Sequence, residues 1–162
     1  SPAPDSTRRR TPSCRWTKSW KQYMSGDRDD GILVIAASVV VTLVTANAAQ
    51  TQNLAERLRA SVFHAPTMLP VEVDSAIRGL ERGGRLSSAQ AAASRKHAAA
   101  FPVELWPWDL LADRAWQMRA NLTTYDAGYV ALAERLGTTL ITGDQRLAAS
   151  GVARCPIEVV TI

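Results

Sequence analysis

With 162 residues, 46% of them hydrophobic and 21% charged, the chain has room for one domain of ordinary size rather than two, and its composition excludes a disordered or fibrous protein. The two cysteines, Cys14 and Cys155, lie far apart with no histidine at zinc-binding spacing, which excludes a disulfide framework or a zinc module and fits a reducing cytoplasm. The net charge of +4 sits mostly in residues 1–30, where seven Lys/Arg face four Asp, so the basic balance belongs to that segment and is no argument for nucleic-acid binding by the rest.

Residues 1–30 read as a basic leader and residues 31–162 as the folded domain. Pro2, Pro4, Ser6 and Pro12, with the run Arg8-Arg9-Arg10, predict disorder over the first dozen residues. Trp16 and Trp20 are four apart and would share one face of a short helix within 14–24, able to dock on the domain or on a partner. The polar run SGDRDDG at 25–31 marks the boundary. The chain opens on Ser1 rather than Met, as a trimmed or processed product does, and no signal peptide is expected because the apolar run lies too far from the start. That run, residues 32–46, spans 15 residues broken by Ser38, Thr42 and Thr45. A membrane span needs about 17–25 apolar residues, so no membrane association is expected.

ILVIA at 32–36 is a continuous, β-branched apolar run, as in a strand covered on both faces. Ser38 can cap the next run, VVVTLVTA, which reads as a short buried helix despite its β-branched content. Leu54 and Leu58 give a helix over 51–60 its apolar face. SVFHAP reads as a strand ending at Pro66. Pro70 suits the first residue of a helix over 70–82, with Val71, Val73, Ile77 and Leu80 apolar and Gly83-Gly84 as the stop. Ser87 or Ser88 starts an Ala-rich helix to residue 99. Residues 102–106 then form a strand, and Asp109 caps a helix to residue 120. A helix over 126–136 stops at Gly137; TTLIT is a buried strand, 144–150 a short helix and 157–162 a last strand. Helices between nearly all of four or five strands predict an α/β domain, a mostly parallel sheet surrounded by helices. In such sheets functional groups collect outside the carboxyl ends of the strands, where Asp144 and residues 36–38 fall.

Among the acids, Glu56, Glu81, Asp113 and Glu134 sit at helical positions beside arginines and Glu158 in the last strand, all read as solvated surface or weak surface pairs. Glu72, Asp126 and Asp144 are different. Each alone could be a helix-terminus acid stabilised by unpaired backbone N–H groups. Gathered in one cleft they would repel one another, and a hard divalent cation with oxygen ligands would cancel that repulsion. Such an ion lowers the pKa of water and orients a phosphodiester for in-line attack, which is nuclease chemistry without a His or Cys nucleophile. His64 and His97 read as structural or surface residues, and no G-x-x-x-x-G-K-[ST] or G-x-G-x-x-G motif is present. Arg78, Arg82, Arg85, Arg95, Lys96 and Arg146 are the cations available to grip a phosphate backbone, each alone more ordinary as solvated surface.

Three segments, LVIAASVVV, APTMLPVEVDSAIRGLERG and LTTYDAGYVALAERLGTTLITGDQRLA, together resemble a PIN-domain protein, and closely the VapC toxins of bacterial toxin–antitoxin pairs, over about residues 32–162. The last is the most specific, with Asp126 and Thr142 separated by 16 residues. The resemblance implies a PIN-like fold and a metal-dependent (Mg²⁺ or Mn²⁺) endoribonuclease acting on structured or messenger RNA. It further implies a homodimer, neutralised by a VapB-like antitoxin whose C-terminal portion wraps the toxin. It carries the catalytic and metal-site roles onto Glu72, Asp126 and Asp144, and supporting hydroxyl positions onto Ser38 and Thr142.

The family's first acid ends the first strand in a pattern V-V-D-A-S. Here the stretch is Val34-Ile35-Ala36-Ala37-Ser38, so Ala36 stands where the acid is expected. A methyl group offers no ligand, and losing well-placed electrostatics of this kind costs orders of magnitude in rate. An engineered inactivating change and a naturally degenerate member both account for Ala36, and Asp29 and Asp30 precede the strand and would lie near its other end. The leader is a second departure, and Trp16 and Trp20 are placed to cover an apolar groove in cis. The alternative function is a non-catalytic PIN-fold protein that binds an antitoxin or RNA. A metal-dependent DNA nuclease or phosphatase of similar layout is the third.

Overall fold

Val34 and Ile35 expose no surface, as expected of a strand with neighbours on both edges and helices on both faces. They belong to β1 (Ile32–Ile35), the middle strand of a five-stranded sheet in a computed structural model that describes residues 31–161. The leader helix and the disorder expected of the first dozen residues lie outside the described residues. β2 (Val62–Pro66) and then β3 (Val103–Trp106) extend the sheet on one side of β1. β4 (Thr139–Thr142) and β5 (Ile157–Val159) extend it on the other. Every pairing is parallel, so the sheet is wholly parallel rather than mostly so. Burial of each side chain such as Ile35, Leu140 or Ile141 contributes about 1.5–3 kcal/mol.

Parallel strands need crossovers. These are α1 (Ala37–Thr45), α2 (Ala48–Leu58), α3 (Leu69–Arg82), α4 (Ser88–Ala99), α5 (Ala112–Gln117), α6 (Thr124–Leu136) and α7 (Gln145–Ala149). α1 packs on α3 and α4, while α6 lies across β1, β2 and β4 with α5 against it. No helix among the described residues is long and apolar enough to cross a membrane.

Where local chemistry departs from the expected boundaries, capping explains it. Ser38 does not cap α1; Ala36 holds that position without a side-chain acceptor, and Ser38 lies in the first turn. Thr42 and Thr45 suit the helix because their hydroxyls donate to the carbonyls of Ser38 and Val41, at 3.0 and 2.8 Å. α2 begins at Ala48 rather than near residue 51, since Asn47 and Gln50 form a reciprocal capping box. Ser87 and Gln90 do the same for α4. Asp109 caps no helix: it lies in a 3₁₀ turn, Trp108–Leu110, and α5 is short and starts without a side-chain cap. α6 starts at Thr124 because Thr123 accepts a hydrogen bond from the Asp126 N–H at 3.1 Å, and it ends at Gly137 in the left-handed region, φ 63°. β5 stops at Val159.

Glu134 corrects the surface reading given to it. Its side chain is only 13% exposed and accepts two hydrogen bonds from the Arg114 guanidinium, at 2.6 and 3.0 Å, and one from the Arg154 backbone N–H at 2.8 Å. Burial pushes its carboxyl up, but these donors outweigh burial and hold it below 4.5. The stability this group confers is therefore present above pH 4.5 and is lost as pH falls through its lowered folded value. Glu134→Gln should cost about 1–3 kcal/mol near neutrality, the scale of hydrogen bonds to a charged group. Urea unfolding over a pH series is the check. The gap between parent and variant should close as the medium becomes acidic, and a pH-independent gap counts against the assignment.

Candidate active site

The strand order reverses between β1 and β4, since the chain leaves β1 for β2 on one side and returns to β4 on the other. At such a switch point a crevice opens beyond the carboxyl ends of the two strands. β1 and β4 pair Ile35 with Ile141, and the Ala36 N–H donates to the Ile141 carbonyl at 2.9 Å. Ala36, Ser38, Thr142 and Asp144 thus all stand at this end. The Ser38 hydroxyl accepts from the Gly143 N–H at 3.0 Å, and the buried Thr142 hydroxyl accepts from the Asp144 N–H at 3.1 Å. Both hydroxyls brace the turn that presents Asp144.

Asp144 caps α7, with Oδ1 accepting from the Arg146 backbone N–H at 2.9 Å. The Arg146 side chain also forks onto the carboxylate, Nε to Oδ1 at 3.2 Å and Nη2 to Oδ2 at 3.1 Å. These hydrogen bonds hold the Asp144 carboxyl below its ordinary range against a smaller opposing effect of burial.

Glu72 and Asp126 arrive from the first turns of α3 and α6. Gly128 leaves room for two side chains: a Cβ there would stand 3.0 Å from Trp108 Cζ3 and 3.3 Å from Cε of Met68, the residue preceding α3. The Asp126 carboxylate accepts from the Thr123 hydroxyl at 2.7 Å. Glu72 Oε2 accepts from the Tyr129 hydroxyl at 2.6 Å. Burial pushes the Glu72 carboxyl up, the Tyr129 hydrogen bond opposes this, and the charge of Asp126 adds to the rise. Tyr129 is pushed far above its ordinary range, first by burial and then by Glu72, while the Ala37 N–H donating to its oxygen works the other way. Asp126 is felt at Glu72, at Tyr129 and at Arg146, so it is the acid common to both sides of the crevice.

The structure therefore couples Glu72 to Asp126 and ties Asp144 to Arg146. Among the described residues no three Asp, Glu, His or Cys side chains form a group able to hold a metal ion. A hard cation of the Mg²⁺ kind commonly takes one or two carboxylates and keeps several waters, so three protein ligands are not needed. Glu72 and Asp126 supply oxygen donors of the right hardness, and the charge crowding that raises Glu72 is what a cation relieves. Asp144 Oδ2 accepts one hydrogen bond, from Arg146, and keeps a lone pair for a cation.

Two features of this neighbourhood escaped the sequence reading. Tyr129 looks like an ordinary core residue, yet it lies three positions after Asp126 and so shares its helix face. Arg146 and Arg95, set among the phosphate-gripping cations, also pair with acids, Arg146 with Asp144 at 3.1 Å and Arg95 with Asp74 at 2.9 Å. His64 is buried and accepts from Trp106 Nε1 at 2.9 Å, in keeping with a structural role.

The PIN-domain family model matches residues 33–152. Ribonuclease VapC9 of Mycobacterium tuberculosis is 38% identical over 129 residues, covering 80% of this chain and 98% of that protein. Ribonuclease VapC12 of the same organism is 38% identical over 129 residues, 80% of this chain and 99% of its own. The crystal structure of PAE2754 from Pyrobaculum aerophilum matches with a TM-score of 0.58 and 27% identity, covering 85% of this chain and 89% of that one.

Glu72 generates a stability test that needs no cation. Because its carboxyl is raised above 4.5, the neutral form suits the fold better; that advantage is full below 4.5 and is lost as pH rises through the raised value. Glu72→Gln keeps an acceptor for Tyr129 without the charge. It should raise the Tm of the chelated protein at pH 7 by roughly a few degrees, with the gain shrinking toward acid pH. A variant that melts below the parent at pH 7 contradicts this.

Proposed function

This chain belongs to the PIN-domain family, among its VapC ribonucleases, and we propose that it is the toxin of a toxin–antitoxin pair, an endoribonuclease hydrolysing RNA phosphodiester bonds with Mg²⁺ or Mn²⁺ and slowed by Ala36. The observation that carries this reading is the coupled pair Glu72 and Asp126 beside the switch point of a parallel sheet, with Asp144 on the adjoining turn. Glu72, Asp126 and Asp144 are the residues that would hold the cation, Asp144 through the oxygen that accepts a single hydrogen bond from Arg146. When bound, it would supply a water of lowered pKa and a counter-charge for the phosphoryl oxygens.

The chain's own residues do the rest. Ser38 and Thr142 fix the turn through the Gly143 and Asp144 N–H groups, so Asp144 is presented without freedom to swing away. Asp144 orients Arg146, whose side chain is 92% exposed and whose remaining N–H groups are available to an RNA phosphate. Ala36 contributes no side-chain oxygen at the end of β1, where its N–H donates to the Ile141 carbonyl. The proposal includes homodimer formation, a VapB-like antitoxin as partner and action in the cytoplasm, supported by the family membership and, for the compartment, by the absence of close cysteine pairs.

A second reading is a non-catalytic PIN-fold protein that binds an antitoxin or RNA. It is favoured by Ala36 together with the neutralisation of Asp144 by Arg146. RNA cleavage in Mg²⁺ or Mn²⁺, before and after Ala36→Asp, separates the two. The toxin reading expects slow or undetectable cleavage by the parent and a rise of about 10²–10³-fold in the Asp variant, the scale of one well-placed electrostatic group. If the Asp variant is inert toward a broad RNA panel while folded, the enzymatic reading fails and the binding reading stands.

A further inference from the structure

Tyr129 is 3% exposed, and its hydroxyl joins two elements. The ring is carried by α6 three residues after Asp126, and its hydroxyl donates to Glu72 Oε2 on α3 at 2.6 Å.

We propose that Tyr129 is a positioning residue, fixing the Glu72 carboxylate through Oε2 and leaving Oε1 free as a cation ligand; this rests on the acidic-site reading above. Glu is a long side chain with three rotatable bonds, and ordering it costs free energy that a donor on a rigid, buried ring offsets. Among the described residues the Tyr129 hydroxyl is the hydrogen-bond donor to Glu72, and Oε1 is not engaged. A single helix thus sets both acids, carrying Asp126 directly and holding Glu72 through Tyr129. Ligand-orienting groups of this kind typically govern 10–100-fold in metal affinity.

Tyr129→Phe keeps the ring in the core and deletes the hydroxyl. Mn²⁺ binding is measured by calorimetry on the parent, on Tyr129→Phe, on Glu72→Gln and on the double variant, with circular dichroism to confirm folding. Expected is a loss of about tenfold in affinity for Tyr129→Phe in the parent background and no further loss in the Glu72→Gln background. An equal loss in both backgrounds makes Tyr129 a packing residue and overturns the proposal, as does an unchanged affinity in Tyr129→Phe. If Tyr129→Phe does not fold, Glu72→Asp is read instead. It keeps the charge but draws the carboxylate back from the phenol, and affinity at the parent level overturns the proposal. A parent that binds no Mn²⁺, even as Ala36→Asp, removes the cation reading and this inference with it, whereas binding by the parent with Tyr129→Phe unaffected removes this inference alone.

Discussion

The seating of α6 is the constraint on which the rest depends. Residues 127–133 are buried without a break, and the helix lies across β1, β2 and β4. A helix apolar all round must be covered all round, and here the sheet covers one side while α5 and the residues around Met68 and Trp108 cover the others. Gly128 lets the Trp108 and Met68 side chains close on the helix. The same helix delivers Asp126 at its exposed start, Tyr129 one turn later in its interior, and at Gly137 hands the chain to β4. Packing and site geometry are therefore not separate accomplishments: the helix that closes the core carries Asp126 and, through Tyr129, holds Glu72.

Two styles of charge management sit side by side. Glu134 is satisfied by a guanidinium and a backbone N–H, and its acidity is strengthened. Glu72 is comparably withdrawn from water but has one hydroxyl as its donor and a second carboxylate nearby, and its acidity is weakened. The first arrangement stabilises the fold near neutrality, and the second opposes it under the same conditions. The contrast separates a structural acid from one kept in an unfavourable setting, a pattern that perturbed groups at functional sites share.

The sheet was legible in the sequence because parallel, doubly covered strands appear as unbroken apolar runs, as ILVIA and TTLIT do. Helix starts were legible where the cap was a serine already next to a polar run, as at Ser87, and not where the cap followed a dipeptide of unremarkable look, as at Asn47. Asp109 misled because a polar residue after Pro107 resembles a cap, while the buried Leu111 pulled the chain into a 3₁₀ turn first. The site was legible one residue at a time. Strand-end position pointed to Asp144, and apolar surroundings to Glu72. Their mutual arrangement was not, since the Tyr129–Glu72 hydrogen bond spans 57 residues and the Ser38–Gly143 one 105, separations at which no local spacing speaks.

Much of the site's scaffolding is held by needs that have nothing to do with catalysis. The hydroxyls of Ser38 and Thr142 each satisfy a backbone N–H of the turn, and such groups are paired in folded proteins whatever the chain does. Asp144 is likewise explained as a cap with its own counter-ion. With an acid absent at residue 36 and Asp144 neutralised by Arg146, little of the charge that would demand a cation is left. What remains is Glu72 beside Asp126. A carboxylate held near another of its kind and partly buried gains nothing for the fold by being charged, and an amide would fill the same space and accept the same hydrogen bond. Glu72, rather than the better-ordered groups around it, therefore marks this crevice for function, because it carries a cost that the architecture does not itself require.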